Sequence, residues 1–318
     1  MSDAPPTPAE EMPVEAVLRE ELARGDIVLG TIGPILGHLL AQADHSLFND
    51  EVVARIRGMT RHVARQLLAA GQDAAGESEQ VDPAAEARLA GVLAGNVHFL
   101  IHCHALALEA QLARQIEQRS GIDPVLSPLM QALIASDDAA TASTAMAALA
   151  AQARFMQYQR RMELPLAELP GDLFHQAMTA WRADPVAGGA EQTAAAEQKL
   201  RAAYDEGGSR LGLLSRLVSG LGNGVTAALS VSHAGSALFL SGLAVAARQE
   251  RDLTAIATND SQLARLALAL RAAGLKPKEV EEQFLYLHPD VALPEGFEFM
   301  RADRAAGLLS ASGRRVAG

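Results

Sequence analysis

Apolar residues recur along this chain at helical spacing. Val52, Val53, Ile56, Met59, Val63 and Leu67 fall three and four apart, which predicts a helix capped by Asn49 or Asp50 and running to about Ala70. Pro13 to Arg24 reads as an earlier helix stopped by Gly25. The apolar stretch 26–42 that follows should kink or split at Gly33-Pro34, because proline removes a backbone hydrogen bond. A further helical stretch starts near Pro83, with a break expected at Gly95-Asn96, and runs to about Arg119. SGIDP (120–124) is a turn and Val125 to Ala135 a short helix. Ser136 or Asp137 then caps a helix over Ala139–Arg161, its oxygen accepting from the orphan N–H groups of the first turn. Leu173–Arg182, Glu191–Glu206, a helix from NDS (259–261) to Ala273, and KPKEVEEQFLYLHP complete the pattern.

Period-two alternation and β-branched runs are nearly absent, so no β-sheet is expected. The fold class is all-α: an irregular multi-helix bundle or a degenerate, α-solenoid-like array of helical hairpins. No fixed repeat supports a strict array. Pro- and Gly-rich breaks suggest the organisation. Residues 1–12 are a disordered lead, 13–162 an N-terminal sub-bundle, 163–190 a connection, 191–289 a C-terminal sub-bundle and 290–318 an irregular tail.

Composition adds to this picture. Aromatic residues make up 4% of the chain and hydrophobic residues 49%, so the core is aliphatic and small. Net charge is −11 and argues against nucleic acid as a partner, since phosphate contacts need a basic excess. Cys103 is the sole cysteine, which excludes an intrachain disulfide and a four-cysteine zinc site. The acidic, Pro-rich start lacks the basic and apolar regions of a secretory signal, so a cytoplasmic location is expected.

Four features carry candidate chemistry. NVHFLIHCH (96–104) gathers His98, His102, His104 and Cys103. On a helix, Val97, Ile101, Leu108, Leu112 and Ile116 form the core stripe, while His98 and His102 stack on a flank with Glu109 two turns below. Two imidazoles at i and i+4 can reach one metal ion, yet a catalytic zinc needs a third ligand. Glu109 is about 10 Å along the axis from His102, too far to share the ion. His38, His62, Asp137 and His175 are the candidates from elsewhere. The zinc-protease glutamate and the Glu-x-x-His di-iron pattern are both missing. The competing reading is a boundary helix whose imidazoles bond to groups of neighbouring helices.

Secondly, GLGNG (220–224) lacks the sixth-position glycine of a dinucleotide loop and reads as a helix joint. Thirdly, residues 217–247 contain no Asp, Glu, Lys or Arg. That suits a bilayer span by length, but the absence of basic and aromatic flanks favours a helix buried in the bundle. Fourthly, Arg55, Arg57, Arg61, His62 and Arg65 give the helix after Asn49 a basic side. It is either a salt-bridged face or, through Arg55, Arg57, Arg61 and Arg65, a docking surface for an acidic protein.

The expectation is a non-catalytic helical scaffold or regulatory interaction protein. It uses no cofactor, takes a protein partner, and has homo-oligomerisation open to it. The alternatives are a metal- or small-ligand-binding helical protein using His98 and His102, with an enzyme left open under that reading, and membrane association through 217–247.

Overall fold

Polar caps mark where the helices begin. Asp82 accepts from the N–H groups of Ala84 and Ala85, Asn96 from Phe99, Ser127 from Met130, Asp138 from Thr141 and Ser209 from Gly212. The computed structural model describes residues 13–41, 50–75, 81–184 and 190–316. The lead at 1–12, the Asn49 cap, residues 76–80 of the first polar break and 185–189 of DPVAGG lie outside the described residues. Within them the chain is all-α, with no strand.

The helices are α1 (Pro13–Ala41), α2 (Asp50–Ala75), α3 (Pro83–Ala94), α4 (Val97–Ser120), α5 (Pro128–Ile134), α6 (Ala139–Arg161), α7 (Gly171–Arg182), α8 (Ala190–Ala203), α9 (Arg210–Gly220), α10 (Val231–Ala247), α11 (Arg251–Ile256), α12 (Leu263–Ala272), α13 (Pro277–Leu287) and α14 (Ala302–Val316). Short 3-10 turns link several of them, the longest at Gly222–Leu229.

Two expectations about the chain ends are corrected. First, α1 passes through Gly25 and Gly33-Pro34 as one helix. Its packing accounts for this. A methyl group at Gly33 would lie 2.6 Å from Val97 Cγ1, so glycine lets α1 and α4 close together there. The Gly25 carbonyl accepts from Gln262 Nε2 at 2.8 Å. Second, part of the expected irregular tail is the helix α14. Ala305 and Leu309 are buried. Ser312 Oγ lies 2.8 Å from Asp26 and 2.7 Å from Arg265 Nη2, while Arg265 also pairs with Asp26, so α1, α12 and α14 share one polar tie.

α4 is the shared wall of the bundle. Ala105, Leu108, Leu112 and Ile116 face one apolar cluster, with α1, α9, α10, α12 and α13. Phe99, Leu100, Cys103, Leu106 and Ala110 face a second, with α2, α3, α7 and the buried Trp181. Each cluster draws on residues before and after 163–190, so the two apolar masses do not divide at that connection. Burial from both sides also replaces the single predicted stripe. Val97 is exposed and Ile101 half-buried, while residues 105–110 are buried all round.

The uncharged run 217–247 is broken into α9, the 3-10 turn and α10, the last two meeting at 117°. Among the described residues no single helix is long and apolar enough to cross a membrane. α10 is buried along most of its length. Gly235 holds φ 65° and ψ 175° inside it, a conformation that a Cβ opposes. A methyl group at Gly242 would stand 2.6 Å from Ala228 Cβ, where α10 crosses the 3-10 turn. Gly242→Ala is therefore expected to cost about 1–3 kcal/mol through overpacking, read as a lower urea midpoint at unchanged slope.

Candidate functional site

The 97° turn between α3 and α4 brings the start of α4 to the surface. His98 is exposed there, whereas His102, one turn on, is fully buried. The expected His98/His102 pair is thus divided between solvent and core. His102 Nδ1 lies 2.8 Å from Asp252 Oδ2, and its Nε2 is buried without a hydrogen-bond partner. Burial raises the Asp252 carboxyl, but the His102 imidazole and Arg251 outweigh it and hold the group below its ordinary range. An ionised carboxylate only accepts, so Nδ1 carries the proton. Cys103 is fully buried, and that burial pushes its thiol up, away from the thiolate form that nucleophilic chemistry uses.

Two turns below His102 on the same side, Glu109 is fully buried. Arg210 donates to both its oxygens at 2.7 and 2.9 Å, and Arg251 to both at 2.8 and 2.9 Å. Burial alone would raise this carboxyl. The two guanidiniums prevail and hold it far below the usual carboxylate range. Arg210 also donates to Gln152 Oε1 at 3.0 Å and lies 3.6 Å above the Phe155 ring, a cation–π contact. Arg251 Nε donates to Ser241 Oγ at 3.0 Å. One carboxylate therefore joins α4, α6, α9, α10 and α11. Arg251 and Asp252, adjacent at the start of α11, meet Glu109 and His102, so charge pairing sets how α11 docks on α4.

Arg251 also lines a cleft of about 580 Å³ with Glu168, Glu206, Ser209 and Ser241. Its two glutamates already serve as caps. Glu168 accepts from the Arg210 N–H at 2.8 Å and Glu206 from the Gly171 N–H at 3.1 Å, the first residues of α9 and α7.

The other candidate ligands are dispersed. His62 Nδ1 lies 2.9 Å from the Leu164 carbonyl and 3.0 Å from Gln66 Nε2. His38, His175 and Asp137 are exposed, and His175 lies 3.3 Å from Arg201. Among the described residues no group of three or more His, Cys, Asp or Glu side chains is placed to hold a metal ion.

The basic side of α2 is rearranged by its surroundings. Arg55 is buried, paired with Glu51 at 2.7 Å and with the Gln159 carbonyl, so it leaves the exposed face expected of it. Arg61 and Arg65 share the buried carboxylate of Glu86, at 3.2 and 2.8 Å. Arg57 donates to the Leu39 carbonyl at 3.2 Å. Arg57 and Arg61 form one wall of a groove of about 630 Å³ between α1, α2 and α3. Its floor is small and apolar: Gly37, Leu40, Ala87, Ala90, Gly91, Ala94 and Gly95. Of these two arginines, Arg61 is paired with Glu86 and Arg57 is held at the Leu39 carbonyl, so both guanidiniums are fixed along this side of the groove. Sequence reading found the arginines but not the floor, whose alanines and glycines look like ordinary helix filler until α1 leaves them uncovered.

These features define an all-α chain with an internal ionic junction and an open, arginine-walled groove. No family model, curated protein or solved structure matches it.

Proposed function

We propose that this chain is a helical interaction protein, a scaffold or regulatory subunit of the cytoplasm. In this reading the groove between α1, α2 and α3 receives an apolar, acid-flanked helix of a partner. The observation that carries it is the pairing of a small-residue floor with the Arg57 and Arg61 wall. Such a floor admits close approach of a helix backbone, and the guanidiniums favour carboxylates along its edge. The groups on α4 with chemical potential support the same reading, because they are engaged inside the chain: Glu109 between two arginines, His102 on Asp252, Cys103 in the core.

Gly91 gives a direct test. It is exposed, and a Cβ there would meet nothing within 4 Å, so Gly91→Trp fills the groove without crowding the fold. Purification of the full chain from its native host is expected to retain a stoichiometric partner that the Gly91→Trp variant loses, with melting temperature unchanged. Equal recovery by both chains would contradict the proposal.

A further inference from the structure

We infer that Arg55, Arg114 and Arg160 form a receptor for a phosphate monoester where α2, α4 and α6 meet. The site lies away from the groove, since residues 55 and 57, two apart on a helix, leave opposite sides of α2. The two readings therefore stand or fall separately.

Three helices converge on one carboxylate. Arg55 Nη2 and Nε donate to Glu51 Oε1 at 2.7 and 3.1 Å, and Arg114 Nη2 donates to the same oxygen at 2.7 Å. The two Nη2 atoms are thus no more than twice 2.7 Å apart. Arg55 also donates to the Gln159 carbonyl of α6, and the next residue along α6 is the exposed Arg160. Burial pushes the Arg114 guanidinium down, and the charges of Arg55 and Arg160 add to that push while Glu51 opposes it.

Among the described residues Glu51 is the one carboxylate bonded to any of the three arginines, and Arg160 has no ionic partner. Glu117, one turn past Arg114 on α4, and Glu163, just beyond α6, bond to none of them. Three cations against one anion leave a local surplus of two positive charges. A phosphate monoester matches that surplus, with a charge of about −1.5 to −2 at neutral pH and three acceptor oxygens. Guanidinium forks bond such oxygens in pairs. Arg55 is buried and already fixed by Glu51 and Gln159, while Arg114 and Arg160 keep donors to give. The ester can come from a small metabolite or from a phosphorylated chain.

Calorimetric titration of the full chain with O-phospho-L-serine, in low-salt buffer free of phosphate and sulfate, is the test. Saturable binding at one site is expected, with Kd between about 0.1 and about 5 mM. L-serine should not bind, and L-glutamate should bind at least about tenfold more weakly. Arg160→Glu, at an exposed residue, should weaken phosphoserine binding by about tenfold or more, and so should Arg114→Gln. Glu51→Gln should tighten it about threefold, because a competing carboxylate is gone. Lys278→Glu makes the same charge change on α13 and should leave binding intact. Circular dichroism checks that each variant is folded. The peptide Ala-Ala-phosphoSer-Ala-Ala separates the sources: binding about tenfold tighter than free phosphoserine assigns a phosphorylated chain, and equal or weaker binding a small ester. No saturation up to about 20 mM phosphoserine, or equal losses in Arg160→Glu and Lys278→Glu, overturns the inference.

Discussion

Glu109→Gln is expected to destabilise the fold by about 3–5 kcal/mol, the cost of stripping one partner from a buried ionic group. The substitution keeps the shape of the side chain and removes its charge. Arg210, 2% exposed, then faces a neutral amide, and the four short guanidinium contacts lose their ionic partner. At about 2.1 cal/mol/K of unfolding entropy per residue, 318 residues give about 1.5 °C per kcal/mol, so the melting temperature should fall by roughly 4–8 °C. A triple variant, Glu109→Leu/Arg210→Met/Arg251→Met, should recover much of that loss, because removing all the charges also removes the desolvation they require. Calorimetry of the two variants checks this. A Glu109→Gln chain melting with the wild type would show that the junction does not hold the helices together.

Stability should also fall between about pH 6.5 and pH 4. Burial pushes His104 down to about 4 from its ordinary 6.5, and its Nδ1 is buried without a partner. Above 6.5 neither the folded nor the unfolded chain protonates this ring, and its contribution is complete. As pH falls, the unfolded chain takes up a proton that the folded chain refuses, so the folded state loses ground until about pH 4. The full effect is up to about 3 kcal/mol, from the size of the shift. His288, lowered by its own burial, acts in the same direction. Carboxylates held low by arginines, such as Glu15, Glu51 and Glu197, lose their contribution chiefly below this window. His104→Gln should therefore flatten the decline in urea midpoint between pH 6.5 and 4.5 while leaving the steeper fall at lower pH. An unchanged decline would contradict the assignment.

What the sequence revealed and what it hid follow from the range of the forces involved. Local signals were legible: the capped helix 139–161, the Pro83 start, the break at Gly95-Asn96 and the burial of α10. The cap at α6 is Asp138, neighbour of the two residues expected. The continuity of α1 and the helix α14 were not legible, because contacts made far along the chain sustain them. Gly33 sits on Val97, and Asp26 is tied to Arg265 and Ser312. The same division runs through the candidate sites. Helical spacing placed His102 and Glu109 on one side of α4. Their partners Asp252, Arg210 and Arg251 lie 101 to 150 residues away, beyond any periodicity. The arginines of α2 were visible as a charge run, but Glu86 and Glu51 decide which of them face outward.

The central claim is that the α1–α2–α3 corner is a docking surface. Photo-crosslinking from a benzophenone side chain at position 91, in the native host, tests it most directly. Position 285 on α13 is the control, since Leu285 is 67% exposed and lies outside this groove. The prediction is one discrete adduct from position 91, at the mass of the chain plus one partner protein, and none from position 285. No adduct at 91, or the same adducts from both positions, would contradict it.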